Sequence, residues 1–199
     1  QNLDAFVEVS GILKATASSL FKVAGDLRLL SSGPEAGFGE IHLPPRQTGS
    51  SIMPGKVNPV IPEAVQQAAL MAFGYDHALT IAAASGSLEL NPFVPLVAHC
   101  LLSSCDLLAR AADLFARLCV VGITADRDRC RRQVHGSTAA ATALIVAIGY
   151  ERAAELVKLA AETGRTVRET AIAAGAVSAE EFDQLTSPEA VCRLGSPRR

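Results

Sequence analysis

An all-α fold, a bundle of long helices followed by a small helical domain, is what this 199-residue sequence predicts on three observations. Apolar residues recur at heptad spacing over the first thirty positions. In a 42-residue stretch, Ala64 to Cys105, only Asp76 and Glu89 are charged, histidines counted as neutral. The last third is punctuated by helix caps, and no stretch alternates with the period of two that a half-buried strand requires.

The first helix is expected from about Asp4 to Leu30. Phe6, Leu13, Leu20 and Leu27 form one row and Val9, Val23 and Leu30 the other, with Thr16 interrupting. At 1.5 Å per residue such a helix runs about 40 Å, long for a small globular domain. From Ser31 to Pro59 the periodicity stops and Gly, Pro and Ser accumulate; a loop of this length without regular structure is commonly functional or disordered. Helical character resumes at Pro62, where prolines suit a first turn and Asn58 is a candidate cap. A break at Gly86 to Pro92 precedes another helix, roughly Pro95 to Val120. A helix apolar on every side must be surrounded by protein, so the central helices are expected to be covered by other subunits or by further sequence.

In the last third, Thr166 with Glu169 and Ser178 with Glu181 match the capping-box spacing, Gly164 and Gly175 suit left-handed helix ends, and Ser187-Pro188 opens a last short helix. The apolar segment Ser137 to Tyr150 is the expected core helix there. Residues 1–123 carry 17 charged side chains and residues 124–199 carry 21, a shift that places a domain boundary near Gly122.

Hydrophobic residues make up 49% of the chain and its formal net charge is -2, so no global field favours nucleic acid or an anionic membrane. Arg127, Arg129, Arg131 and Arg132 cluster, but Asp126 and Asp128 interleave with them and no aromatic residue offers a stacking platform, which favours a solvated or ion-paired face. The longest apolar run, Ala139 to Tyr150, falls short of the roughly 18 residues of a bilayer span. The five cysteines show no CxxC spacing and suit reduced, packed thiols in a cytoplasmic protein. The chain opens without methionine and runs almost at once into a long helix, as a piece of a longer protein would. His77 and His99 fall in apolar helices, where satisfied core histidines are expected; His42 and His135 suit the surface. None is assigned to chemistry.

Chemistry concentrates in Gly49-Ser50-Ser51-Ile52-Met53-Pro54-Gly55-Lys56-Val57-Asn58-Pro59. Two hydroxyls, a small backbone with free amides, one cation and one side-chain amide stand directly before a helix start, and those are the parts of a carboxylate site. Gly49 and Gly55 let such a loop close and bring amides near an anion.

The string resembles the signature loop of the aspartase/fumarase superfamily, GSSxMPxKxNP, and its flanks EIHLPPRQT and VIPEAV extend the likeness. DLRLLSSGP (Asp26 to Pro34), LELNPF (Leu88 to Phe93), GITAD (Gly122 to Asp126), IGYERAAEL (Ile148 to Leu156) and TGRTVRE (Thr163 to Glu169) are similar in the same order. The likeness covers the C-terminal part of such an enzyme, and VIPE with TGRTVRE is closer to the aspartate ammonia-lyase branch than to class II fumarase. It implies a central helical bundle domain through residue 123, including the loop 46–59, and a small helical C-terminal domain over 124–199.

What the resemblance implies chemically is elimination through a carbanion, from L-aspartate to fumarate and ammonia, with no organic cofactor and no metal ligands assigned. Ser50 matches the base, Ser51 the neighbour that holds the reacting carboxylate, and Lys56 and Asn58 the pair that binds the other one. Gly49 and Gly55 are supporting residues, and Glu63 matches a glutamate that orients an active-site histidine. That histidine belongs to sequence absent from this chain. The implied partners are a small dicarboxylate and further copies, as a homotetramer with composite sites, and neither nucleic acid nor membrane. Class II fumarate hydratase is the alternative, and a catalytically inactive helical assembly fragment a second.

Overall fold

The computed structural model describes residues 1–47, 49, 53 and 56–192 and divides into two compact units, Gln1–Asp126 and Arg127–Arg199. The fold is all-α: helices account for most of it, and among the described residues the only sheet is a two-stranded ribbon.

The first unit is built on three long helices: α1 (Asp4–Leu30), α2 (Val60–Ala84) and α3 (Val94–Phe115). Leu3 packs with Leu79 and Ala82, Ala17 with Ala69 and Ala72, and Ala24 with Val65 and Ala68, so α1 and α2 run antiparallel. Val97, Leu108 and Phe115 of α3 join the same three layers, antiparallel to α2.

α1 spans the predicted range, but its innermost row is not the predicted one. The buried positions are Ser10, Ala17 and Ala24, seven residues apart, whereas Phe6, Val9 and Val23 are more than 40% exposed. Ala17 and Ala24 on α1 meet Ala68, Ala69 and Ala72 on α2, so the backbones approach closely and the bulky heptad residues are displaced to the flanks. Leu70, Met71 and Ile81 of α2 and Leu102 of α3 are likewise more than half exposed.

Several local expectations are corrected. Pro59, not Asn58, is the residue flanking α2, no side chain caps it, and the helix begins two residues before Pro62. α3 continues into a π-turn, Ala116–Val120. The resulting segment Val94–Val120 is long and apolar enough, by length and composition, to cross a membrane, with a mean hydropathy of 1.3 in its most apolar window. Asp106–Arg110 and Asp113–Arg117, paired four residues apart along the helix, interrupt its apolar letters, so it contains no long uninterrupted apolar run. One face of it, Val97, Cys100, Ser104, Leu108, Ala111 and Phe115, is buried. His77 and His99 are exposed rather than core; the His99 ring lies edge-on to Tyr75 at 5.9 Å. All five cysteines are free, with Cys100 and Cys119 buried, Cys130 half-buried, and Cys105 and Cys192 exposed rather than packed.

The corner between α2 and α3 is tied by one side chain. Buried Asn91 donates to the carbonyls of Ala82 and Ala83, both at 3.1 Å, and accepts from the Phe93 amide at 2.9 Å. Its amide thereby satisfies carbonyls that a helix end leaves orphaned. Within the 31–59 stretch the structure contains an element that no period-two signal announced. Strand β1 (Ile41–His42) pairs antiparallel with β2 (Thr124–Ala125), Ile41 opposite Ala125 and His42 opposite Thr124.

The second unit comprises α4 (Arg127–Gly136), α5 (Ala140–Ile148), α6 (Tyr150–Thr163), α7 (Val167–Ala173), α8 (Ala179–Leu185) and α9 (Pro188–Val191). Leu144, Leu156, Val167, Ala171 and Phe182 centre its core. The Thr166–Glu169 capping box is reciprocal, whereas Ser178 caps α8 without the return bond from Glu181. Gly164 closes α6 at φ 66°, where a Cβ would be strained. Arg168 forms a two-pronged ion pair with Asp183, both contacts 2.9 Å, holding that carboxyl below the usual carboxylate range.

Candidate active site

The loop predicted to carry the chemistry is entered and left through a narrow neck. The Gly49 amide donates to the Lys56 carbonyl at 2.6 Å, and the Lys56 amide donates to the Met53 carbonyl at 3.3 Å. The Asn58 side-chain amide points back at the Gly49 carbonyl at 3.4 Å, a long and weak contact. A Cβ on Gly49 would lie 2.6 Å from the Lys56 carbonyl oxygen and 2.8 Å from its Cγ. Glycine is therefore obligatory at this point on steric grounds, whatever else the loop does.

Gly49, Lys56 and Asn58 are thus brought together. Lys56 is exposed, and its ammonium forms no ion pair with the described residues. Ser50, Ser51 and Gly55 lie outside the described residues. Glu63 stands one turn into α2, where its own amide donates to the Pro59 carbonyl at 3.2 Å, and the dipole of that helix start favours its carboxylate.

Both flanks of the neck are fastened by residues that sequence reasoning did not single out. On the entering side, Arg46 donates from Nε to the Leu118 carbonyl in the π-turn at 2.9 Å, and the Asp126 amide donates to the Glu40 carbonyl at 2.9 Å beside the ribbon. On the leaving side, Arg28 from the last turn of α1 contacts the Glu63 carboxylate at 3.5 Å and donates to Gln66 Oε1 at 2.6 Å. Arg28 had a signal, a cation closing a long helix within DLRLLSSGP. Arg46 had none, because its acceptor is a backbone carbonyl 72 residues away.

Among the described residues no group of three or more His, Cys, Asp or Glu is placed to hold a metal ion. A cavity of about 210 Å³ lies in the second unit, lined in part by Thr163, Arg165 and Thr170. Both threonine hydroxyls there are engaged with carbonyls of their own helical turns, and none of the loop residues contributes.

Residues 1–74 match a family model described as lyase, and residues 141–193 match one described as fumarase C C-terminus. The chain is 50% identical to an aspartate ammonia-lyase of Pseudomonas fluorescens over 94% of its own length and 39% of the relative's. It is 48% identical to a class II fumarate hydratase of Myxococcus xanthus, with 94% and 40% covered. The crystal structure of a fumarate lyase:delta crystallin from Brucella melitensis bound to cobalt superposes with a TM-score of 0.89 at 49% identity, over 99% of this chain and 42% of that one. The chain spans about two fifths of the length of each of these relatives.

Proposed function

This chain belongs to the aspartase/fumarase superfamily of lyases, and from that premise we propose that it is the C-terminal portion of an aspartate ammonia-lyase, which converts L-aspartate to fumarate and ammonia. The observation that carries the proposal is the string Gly49 to Pro59, its ends drawn into a neck directly before α2.

In this mechanism Ser50, as its alkoxide, takes a proton from the carbon beside one carboxylate of the substrate. The electron pair moves onto that carboxylate as an enediolate, then returns to form the double bond as ammonia leaves the adjacent carbon. A serine is a poor base at its ordinary pKa, so loop amides and nearby cations must stabilise its ionised form. The same donors, Ser51 among them, hold the developing enediolate. Lys56 and Asn58, on the leaving strand of the neck, bind the second carboxylate. Glu63 orients a histidine supplied by sequence outside this chain, and further copies complete the site in a homotetramer, which fits the apolar residues that α1 to α3 leave exposed.

The ammonia-lyase reading is supported by VIPE and TGRTVRE and by the Pseudomonas relative. Class II fumarate hydratase is the second reading, favoured by the 48% identity to the Myxococcus enzyme. The complete enzyme, supplied with L-aspartate or with malate while fumarate absorbance is followed, separates them; turnover of malate alone would overturn the first. The 199-residue chain by itself is expected to be nearly inactive, since it lacks the residues that complete the site, and brisk turnover by the pure chain would refute that.

A further inference from the structure

The structure assigns to Arg28 the role of a positioning residue, one that fixes the Glu63 carboxylate at the exit of the loop; this rests on the proposed function, in which Glu63 supports the chemistry. Glu63 and Gln66 are three residues apart on α2 and share a face. The Arg28 guanidinium, reaching across from α1, addresses both: one terminal nitrogen donates to Gln66 Oε1 at 2.6 Å and the other lies 3.5 Å from Glu63 Oε1.

Gln66 is itself held. Its side-chain nitrogen donates to the Phe21 carbonyl on α1 at 3.3 Å and lies over Gly25, where a Cβ would approach it to 3.1 Å. The chain of contacts therefore runs from the α1 backbone through Gln66 to the guanidinium and ends on Glu63. Arginine suits the task because its planar fork reaches two acceptors in fixed directions, which a lysine ammonium does not reproduce. Every other partner of Arg28 in this set is structural; Glu63 alone adjoins the loop.

The test is a double-mutant cycle in the complete enzyme, with Arg28→Met, Glu63→Gln and the pair, using whichever of L-aspartate or malate the wild type turns over. Arg28→Met is expected to lower kcat about 10- to 100-fold, the cost of a misplaced catalytic group, with KM changed by less than about 3-fold and Tm nearly unchanged. In the Glu63→Gln background the same substitution is expected to cost almost nothing, and Arg28→Lys to recover part of the loss. An unchanged kcat in Arg28→Met, or the same factor lost with and without Glu63, overturns the assignment. If Arg28→Met does not fold, Arg28→Lys decides: a fall of about tenfold at constant Tm supports the role, and wild-type kcat refutes it. Turnover of malate alone defeats the ammonia-lyase reading and leaves the cycle to be measured on malate, whereas turnover of neither defeats both.

Discussion

Lys14 Nζ lies 2.7 Å from Asp76 Oδ2, joining α1 to α2 in the middle of the nearly chargeless stretch. Ser10 Oγ donates to the other carboxylate oxygen at 2.8 Å. Asp76 is 7% exposed, and burial by itself would push its carboxyl up. The hydrogen bonds from Lys14 and Ser10 and the charges of Lys14 and His77 outweigh that and hold it below its ordinary value. A carboxyl depressed in the folded state adds stability above its unfolded pKa, near 4, and that stability is lost as pH falls through the folded value. Urea unfolding from pH 6 to pH 2 should therefore show a steeper loss in the wild type than in Asp76→Asn. At neutral pH, Ser10→Ala is expected to cost about 1–2 kcal/mol, and Lys14→Met about 1–3 kcal/mol, because an uncompensated carboxylate remains, partly screened by solvent on the exposed lysine side.

Gly49→Ala places a methyl group where the Lys56 carbonyl already is. The neck must open, so turnover by the complete enzyme is expected to fall at least tenfold, while circular dichroism and Tm stay close to wild type, since the helical cores do not include this residue. A Gly49→Ala enzyme with normal kcat would show that the neck has no part in the chemistry.

Ser50→Ala removes the proposed base and leaves Lys56 and Asn58, the proposed carboxylate ligands, in place. Loss of turnover with binding of a fumarate-like dicarboxylate kept within a few-fold is the expected result, read by isothermal titration. Retained turnover would exclude Ser50 as the base.

The close approach of α1 and α2 rests on Ala17 and Ala69, both wholly buried. Ala17→Leu forces several carbon atoms into a packed seam and is expected to destabilise by about 1–3 kcal/mol or more. Leu substitution at Ile12, 67% exposed on the same helix, should cost under about 0.5 kcal/mol. Paired denaturation curves compare the two.

Much of the fold was written in the sequence, because helix periodicity and caps are local. α1 ends where the heptads end, and Thr166 and Ser178 cap where their spacing places them. The inward row of α1 departs from the heptad pattern for a physical reason: bulky letters dominate a hydrophobic pattern, but the buried row is Ser10, Ala17 and Ala24, which carry little hydrophobic weight. His77 and His99 are exposed despite their apolar neighbours in sequence, since such a neighbourhood says nothing about which side of a helix a residue occupies. The loop was legible as a string of residue types, whereas the Arg46 contact and the ribbon were not, because each ends on backbone groups distant in the chain.

The ribbon also has a consequence for the order of assembly. Its strands are separated by some eighty residues, so β1 finds β2 only after α2 and α3 have formed and doubled back, long-range closures being slow to form. The residues leading into the loop thus settle after the scaffold has set, and amide exchange during refolding should show Ile41 and His42 protected later than the centres of the long helices.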